Sequence, residues 1–403
     1  MRRRHGLTVL VLLLLCTGSA SLRAESASAG DLSGQLPDGA LWRIAVPEHW
    51  NGTLLLYSHG YARDMQAPAL APRGLEPWLL QHGYALAASS YARPGWAVAE
   101  AVPDQLATLD QFVSSIGKPL RTIAWGESMG GLITVALAER QPSRLDGALS
   151  ACGSVAGSLA MMNMALDGAF AFTTLIGPDA GSLPQALTSP QGRARLALAA
   201  ALGGLPQHQL EQVARTFAAG VFLPREDQEQ RAGGRFSWNT GVDYRVLLDH
   251  SGRRGWVAAY YRQSGISLTR DLETLNAAPR SSADPRAVAY MRAHYAPDGD
   301  LNVPLLSYHT IGDGLTSPVL EGAYARQVKQ AGREANLRVA WVAAEGHCTF
   351  SAAEHLIALR ALESRLQSGR WDVNAERLNA TGLAPDLGPR RFLRYTPDPL
   401  PRE

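Results

Sequence analysis

The sequence has little charge, few cysteines and no long apolar run beyond its first residues. Only 18% of its 403 residues are charged and 46% are hydrophobic, which excludes an intrinsically disordered chain. The sequence contains no heptad pattern and no repeat of fixed length, which excludes a coiled coil and a solenoid. Because no block of like charge exceeds a few residues, we expect no nucleic acid partner.

Motifs for common cofactors are also missing. The sequence has no Walker-type phosphate loop and no His/Cys cluster with the spacing of a zinc site. The acidic segment 298–302 lacks the glycine and glutamate positions of a calcium loop, so it is typical of a turn. We therefore expect a protein that needs no cofactor and no metal.

Residues 1–24 have the pattern of a secretory signal peptide. Three arginines, at positions 2–4, precede the apolar run 7–15, which is about half the length that spans a bilayer. Small residues follow, and cleavage after Ala24 or near Ala20 fits the pattern. We expect a secreted or periplasmic protein without a stable membrane span after cleavage; an uncleaved membrane anchor is the alternative.

Cleavage after Ala24 changes the charge and the cysteine count. It removes four arginines, so Lys plus Arg falls from 38 to 34 against 36 Asp plus Glu, and the net charge changes from +2 to −2. It also removes Cys16 and leaves Cys152 and Cys348. An even pair of cysteines in an exported protein is a candidate disulfide.

Short apolar runs alternate with helical periodicity over much of the chain. Strands are predicted at residues 40–46, 53–57, 84–90, 121–125, 145–151, 303–310 and 337–342. Helices are predicted at residues 103–116, 132–139, 319–331 and 352–366. This alternation predicts the α/β class, with a mostly parallel sheet covered by helices on both faces.

The rhythm of strands and helices is interrupted once, which predicts an insertion. We assign residues 31–153 to the first part of the sheet domain and residues 301–370 to its second part. Residues 154–300 form a large helical cap after the strand at 145–151, which we number as the sixth core strand although only five are predicted up to that point, with amphipathic helices at 193–202 and 210–217. Residues 371–403 are rich in proline and predict an extended strap or a loose tail.

The segment Gly126-Glu127-Ser128-Met129-Gly130 fits the pattern G-x-S-x-G. It lies between a predicted strand and a predicted helix, which is the setting of a nucleophile elbow. Small flanking residues permit a sharp turn that exposes the serine hydroxyl beside the N-terminus of a helix. The alternative is an ordinary glycine-rich turn.

A reactive serine needs a base and an acid that orients the base, and both follow it in a fold of this kind. Asp313 and His347 each come directly after a predicted strand, at the sheet edge where such folds place their sites. Other candidates for the acid are Asp249, Asp298 and Asp300. Competing histidines are His309, within a strand, and His355, within a helix.

These residues make the sequence resemble the α/β-hydrolase superfamily of serine esterases and lipases, over about residues 42–366. The resemblance implies that Ser128 is the nucleophile, His347 the general base and then acid, and Asp313 the group that orients His347. It also implies an oxyanion hole at the backbone N–H groups of Tyr61 and Met129, because His59-Gly60 follows an early strand as in many lipases and esterases.

Cys348 directly follows the histidine, and Cys152 ends the strand after the nucleophile helix. We expect a disulfide that fixes the histidine loop to the sheet, with two buried thiols as the alternative. Tannase-like hydrolases also have a cysteine beside the histidine, but its partner precedes the serine. Glu127 occupies that position here.

A serine nucleophile in this setting indicates acyl transfer to water, so the expected function is hydrolysis of small or polymeric carboxylic esters. A serine peptidase or amidase is the alternative, with Glu226, Asp227 and Glu229 available to bind a substrate amine. A non-catalytic binding protein is a third possibility. Met161, Met162 and Met164, with Phe170 and Phe172, fit either an acyl pocket or cap packing. The aromatic residues Trp238, Tyr244, Trp256, Tyr260 and Tyr261 fit packing better than substrate contact.

Overall fold

The structure, a computed structural model, describes residues 28–177, 187–207, 210 and 223–402. Its strands are β1 Ser28–Gln35, β2 Leu41–Pro47, β3 Thr53–Ser58, β4 Ala85–Ser89, β5 Arg121–Glu127, β6 Gly147–Ala151, β7 Leu305–Gly312, β8 Leu337–Glu345 and β9 Phe392–Leu393. Its helices are α1 Glu76–Gln81, α2 Val98–Ser115, α3 Met129–Arg140, α4 Gly157–Leu175, α5 Pro190–Leu202, α6 Leu223–Ala232, α7 Tyr244–His250, α8 Arg254–Ser264, α9 Leu268–Ala277, α10 Pro285–Tyr295, α11 Pro318–Gln330, α12 Ala352–Ser368 and α13 Ala375–Ala380.

The strands form one sheet in the order β1-β2-β4-β3-β5-β6-β7-β8-β9. Six neighbouring strands are parallel to one another: β4, β3, β5, β6, β7 and β8. The strands β1, β2 and β9 join them antiparallel at the two edges. The C-terminal ends of β5, β7 and β8 therefore meet at one edge of the sheet, where open α/β sheets bind ligands. The expected α/β class with a mostly parallel sheet is confirmed.

Alternate side chains of the central strands are buried on opposite faces of the sheet, as the period of a strand requires. Leu55 and Tyr57 pack in the cluster that includes α1 and α12. Leu54 and Leu56 pack against Phe112 of α2 on the other face. Because both faces of the sheet are covered, the central strands are apolar at nearly every position. This pattern allowed them to be predicted from the sequence.

The helices from α4 to α10 lie between β6 and β7, which confirms a helical insertion after the sixth strand. They have a hydrophobic cluster of their own, centred on α5, where Ala194 and residues 196–202 are fully buried. The helix predicted at 193–202 is present as part of α5; Arg193 is exposed, whereas the rest of the helix from Leu196 is surrounded by neighbouring helices of the insertion. The helix predicted at 210–217 lies outside the described residues except for Leu210.

Two strands at the edges of the sheet were not predicted. β1 has the sequence Ser-Ala-Gly-Asp-Leu-Ser-Gly-Gln, without an apolar pattern, and it pairs with β2 along most of its length. β9 has only two residues and pairs with Trp341 and Val342 of β8. Neighbouring strands rather than local sequence determine both elements.

The C-terminal tail crosses from the sheet to the insertion. After β9, the buried side chain of Leu400 belongs to the hydrophobic cluster that also includes residues of α3 and α4. Asp398 pairs with Arg253 at 2.8 Å, and Arg402 lies 3.4 Å from the buried Asp167 of α4. The tail therefore links the insertion to the rest of the chain.

The predicted signal peptide, residues 1–24, lies outside the described residues. Among the helices that the structure describes, none combines the length and the apolar character that crossing a membrane requires.

Candidate active site

Ser128 lies in the turn between β5 and α3, and we call residues 126–130 the serine turn. Its backbone has φ 58° and ψ −121°, a combination that side chains larger than glycine rarely adopt. A Cβ atom on Gly126 would lie 2.2 Å from the carbonyl oxygen of Gly130, and one on Gly130 would lie 1.9 Å from that of Ser58. Both glycines are therefore required by close contact between backbone segments.

His347 lies in the loop between β8 and α12, and we call residues 346–351 the histidine loop. Its Nε2 atom is 2.8 Å from Ser128 Oγ, a distance at which the hydroxyl donates a hydrogen bond to the ring. Its Nδ1 atom is 2.8 Å from Asp313 Oδ2 and donates to that carboxylate. The structure thus brings Ser128, His347 and Asp313 together in the order that the sequence predicted.

Asp313 is fully buried behind His347. Its Oδ1 accepts hydrogen bonds from the N–H groups of Leu315 and Thr316 at 2.8 and 3.0 Å, and its Oδ2 lies 3.0 Å from the Thr316 hydroxyl. Burial alone would raise the pKa of Asp313, but the His347 and His309 rings and these donors outweigh burial and lower it. The carboxylate therefore stays ionised although it has no contact with water.

Tyr61 and Met129, the residues predicted to form an oxyanion hole, lie close to Ser128, and Tyr61 lines the same cavity as Ser128. Met129 is the first residue of α3, and Gly60 lies against Ser128, since a Cβ on Gly60 would be 3.2 Å from Ser128 Cβ. Within the described part of the chain, neither N–H donates a hydrogen bond to another group. Both N–H groups are therefore free to donate a hydrogen bond to a ligand.

His59 supports the loop before Tyr61 and does not reach the serine. Its Nδ1 is 2.7 Å from the carbonyl oxygen of Gly60, and its ring stacks on Tyr91 with centroids 4.1 Å apart. Burial lowers its pKa, which favours the neutral ring. These contacts agree with a role in shaping the loop.

Cys152 and Cys348 are joined by a disulfide bond across 196 positions of sequence. Both residues have positive φ, 43° and 54°, so each lies in a tight turn at the same edge of the sheet. The position before the serine, Glu127, instead accepts a hydrogen bond from the Tyr57 hydroxyl at 2.7 Å. The bond connects the histidine loop to the end of β6.

An apolar cavity opens beside the serine hydroxyl. Its lining includes the side chains Tyr61, Trp96, Met161, Met162, Met164, Leu205 and Leu315. The three methionines of α4 thus face the cavity, whereas Phe170 and Phe172 pack within the insertion. No charged side chain is among its described lining residues.

Of the alternative site residues, His309 lies behind Asp313, 3.7 Å from its Oδ2 atom, and the others lie elsewhere. Asp298 and Asp300 belong to a turn whose N–H groups, at 298 and 299, donate to Glu139. Asp249 pairs with Arg254 at the surface, and His355 is buried in α12 beside Tyr308.

The acidic cap residues and the cap aromatics take structural positions. Asp227 accepts a hydrogen bond from the Trp96 N–H and pairs with Arg231, and Glu229 pairs with Arg225. Tyr244 and Tyr261 are buried in the insertion, and Trp256 and Tyr260 pack against the same cluster. Trp238 lies under the guanidinium group of Arg402.

Thr316 is a functional contact that the sequence analysis missed. Its hydroxyl is 2.8 Å from the carbonyl oxygen of Cys152 and 3.2 Å from His347 Nδ1, and its N–H holds Asp313. The residue thus connects the acid, the histidine and the end of β6. Its position three residues after Asp313 is the signal of an Asx-type turn.

Among the described residues, Cys152, His347 and Cys348 form the group with the spacing of a metal site. The two sulfur atoms are bonded to each other, and both ring nitrogens of His347 are hydrogen-bonded. In this state the group has no free ligand atoms to offer a metal.

No protein-family model matches the chain. It is 28% identical to an o-phthalyl amidase of Xanthobacter agilis, over 88% of this chain and 91% of that protein. Among solved structures, feruloyl esterase B from Aspergillus oryzae superposes with a TM-score of 0.47 and 14% identity, over 84% of this chain and 80% of that one. Acylaminoacyl peptidase from Pyrococcus horikoshii superposes with a TM-score of 0.46 and 9% identity, over 87% and 44%.

The sheet order, the sharp turn at Ser128 and the helical insertion after β6 together define one fold. The chain has the α/β-hydrolase fold.

Proposed function

We propose that this protein is a serine hydrolase that transfers the acyl group of a carboxylic ester to water. The observation that carries the proposal is the unbroken line of hydrogen bonds from Ser128 through His347 to Asp313, with both distances at 2.8 Å. A buried carboxylate, an imidazole and a hydroxyl in this order make the hydroxyl nucleophilic.

In the first half of the reaction, Ser128 Oγ attacks the ester carbonyl while its proton moves to His347 Nε2. The carbonyl oxygen becomes an oxyanion, which the N–H groups of Tyr61 and Met129 stabilise. His347 then gives the proton to the departing alcohol as the bond between carbonyl carbon and alcohol oxygen breaks. The product is an acyl-enzyme on Ser128.

In the second half, water attacks the acyl-enzyme and gives a proton to His347. The bond to Ser128 Oγ breaks, the serine takes back the proton, and the free acid leaves. Asp313 remains ionised throughout and stabilises the imidazolium form of His347. Its low pKa and its three donors from Leu315 and Thr316 support this role.

The cavity beside Ser128 supports an apolar acyl group. Trp96 and Tyr61 offer aromatic surface, and Met161, Met162 and Met164 offer flexible side chains that adapt to an irregular shape. A charged acyl group would lose its hydration against these residues without a partner. We therefore place neutral aliphatic or aromatic acyl groups in this cavity.

Carboxamides are the second candidate substrates, and the relative from Xanthobacter agilis favours them because it is named an amidase. Hydrolysis of an amide depends more strongly on proton donation by His347, because the amine must be protonated before it can leave. The same residues perform both reactions, so the leaving group distinguishes the two proposals.

We also propose that the mature protein acts outside the cytoplasm. The signal pattern in residues 1–24 supports this proposal, and so does the bond between Cys152 and Cys348, since disulfides persist in oxidising compartments. Fractionation of expressing cells and N-terminal sequencing of the product test it, with an uncleaved cytoplasmic chain as the contrary result.

Labelling with a fluorophosphonate probe tests the nucleophile. We expect wild-type protein to react at Ser128, and Ser128→Ala to lose the reaction together with about a million-fold in kcat. Ser114→Ala, at an exposed position of α2, is the matched control and should react like the wild type. Labelling of Ser128→Ala at the wild-type rate would exclude Ser128.

Turnover of phenyl benzoate and benzanilide then separates esters from amides. The two probes share a neutral aromatic acyl group, so they differ only in the leaving group. We expect faster turnover of the ester. Turnover of the anilide alone would overturn the ester proposal and leave the amide proposal in place.

A further inference from the structure

A second pair of ionisable side chains is buried behind the acid of the active site. His309 of β7 and Glu321 of α11 are both fully buried, as is Asp313. His309 Nε2 lies 3.7 Å from Asp313 Oδ2, and His309 Nδ1 lies 3.6 Å from Glu321 Oε2. The line Ser128, His347, Asp313 therefore continues through His309 to Glu321.

The contact between His309 and Glu321 is electrostatic rather than a close hydrogen bond. Within the described residues, the two carboxylate oxygens of Glu321 have no hydrogen-bond partner. The Nδ1 atom of His309 has none either. An ionised carboxylate without a hydrogen-bond donor from the protein is costly to bury, and a cation beside it offsets that cost. His309 is the ionisable group that lies next to both Asp313 and Glu321.

His309 also forms a hydrogen bond to the turn that contains Asp313. Its Nε2 is 2.5 Å from the carbonyl oxygen of Thr316 and donates to it. Thr316 in turn donates its N–H to Asp313 Oδ1 at 3.0 Å. The His309 ring therefore fixes the turn from Asp313 to Thr316 from behind, on the side away from His347.

We propose that His309, held between Glu321 and Asp313, is a positioning residue that fixes the Asp313 turn and supplies positive charge behind that carboxylate. This inference deepens the proposed function and rests on it. His309 does not touch the substrate cavity and acts only through Asp313 and Thr316.

The balance of charge supports a protonated His309. Burial alone would lower the pKa of His309, but Glu321 and Asp313 outweigh burial and raise it. A charged His309 beside Asp313 favours the ionised carboxylate, which His347 needs as the acceptor for its Nδ1 hydrogen.

Loss of the His309 charge should shift the pH dependence of activity in one direction only. Without that cation, Asp313 binds a proton more readily. A protonated Asp313 no longer accepts the Nδ1 hydrogen of His347, so the acid limb of kcat/KM moves to higher pH. The groups that face His309 are Asp313 on the following turn, Glu321 on α11, His347 through Asp313, and the Trp341 ring of β8 at 6.1 Å.

The test is the pH dependence of kcat and KM for His309→Gln, which retains a donor for the Thr316 carbonyl but no charge. We expect an upward shift of the acid limb by about one pH unit. We expect kcat at the optimum to fall by about ten- to a hundred-fold, with KM unchanged.

The matched control is His355→Gln. His355 is also a buried histidine, but burial lowers its pKa to about 3, so a neutral ring is exchanged for a neutral amide. Its Nδ1 accepts a hydrogen bond from the Tyr308 hydroxyl at 2.8 Å. This variant should lose stability without moving the acid limb.

A double variant protects the test against failure to fold. His309→Gln combined with Glu321→Gln replaces the ion pair by two neutral amides, so no lone carboxylate is buried. The acid limb should again shift upward, by less, because the cation next to Asp313 is lost together with the more distant anion.

The outcomes separate the two proposals. An unmoved acid limb in both His309 variants, with wild-type kcat or with lower thermal stability only, overturns the role of His309. Absence of fluorophosphonate labelling at Ser128 in the wild-type protein overturns the proposed function itself. An upward shift in the His309 variants, with His355→Gln unmoved, supports the inference.

Discussion

The serine turn and the histidine loop meet at a hydrogen bond, but they are stabilised in different ways. The serine turn depends on residues close in sequence and on the neighbouring strand, since Gly126 contacts Gly130 and Gly130 contacts Ser58. The Ser128 N–H donates to the carbonyl oxygen of Ala151 at 3.0 Å. The turn is therefore complete once the central strands have paired.

The histidine loop depends on distant parts of the chain. Cys348 is bonded to Cys152, and Arg391, next to β9, donates to the Thr349 carbonyl at 2.9 Å. Arg391 also forms a two-point ion pair with the buried Glu354 at the start of α12. Ser128 is thus placed by local packing, whereas His347 is placed by a covalent bond and the C-terminal tail.

The largest expected effect is on the serine turn. Gly130→Ala puts a methyl group 1.9 Å from the Ser58 carbonyl, and neither backbone can move without separating α3 from β3. We expect no soluble protein, or soluble protein without fluorophosphonate labelling. Gly255→Ala is the control, because a Cβ there meets nothing within 4 Å and a helical alanine should stabilise by up to about 1 kcal/mol. Normal labelling of Gly130→Ala would contradict this account.

The second effect is on the histidine loop. Replacing Cys152 and Cys348 by serine opens a loop of 196 positions and should lower the free energy of unfolding by about 4 kcal/mol. Thermal unfolding measures the loss, and kcat should fall more than KM changes, because His347 loses its anchor. If the double variant retains wild-type kcat and stability, the bond does not position the loop. Reductant should reproduce the effect in the wild type and have none in the variant.

The smallest effect tests the contribution of the tail. Arg391→Lys keeps the charge but loses the planar pair of donors to Glu354, which should cost about 1–2 kcal/mol and reduce kcat several-fold. Arg394→Lys is the control, because Arg394 is 84% exposed and its ion pair with Glu376 lies at the surface. Equal melting temperatures for the two variants would show that the tail does not support the histidine loop.

The same contrast explains which features could be predicted from the sequence. Ser128, Asp313 and His347 each follow an apolar strand, and parallel strands place such residues at one edge, so their meeting could be predicted. The disulfide could be proposed as well, because Cys152 and Cys348 follow two of the same strands. Local patterns were enough wherever a strand is buried on both faces.

Features that depend on distant packing could not be predicted. Nothing in the sequence distinguishes Glu321 from the exposed acids of other helices, because its burial follows from the packing of α11 on β7. β1 has no apolar pattern, and α5 is surrounded by helices that the sequence cannot position. Arg391 and Glu354 gave no signal, since their pairing depends on where the tail returns to the sheet.

The separation of 196 positions between the joined cysteines imposes an order on biosynthesis. A ribosome has made Ser128 and the whole insertion before it adds His347. Under the proposed function, a nascent chain that ends before residue 347 has no base for Ser128 and cannot hydrolyse an ester. The disulfide can form only after Cys348 has also been added.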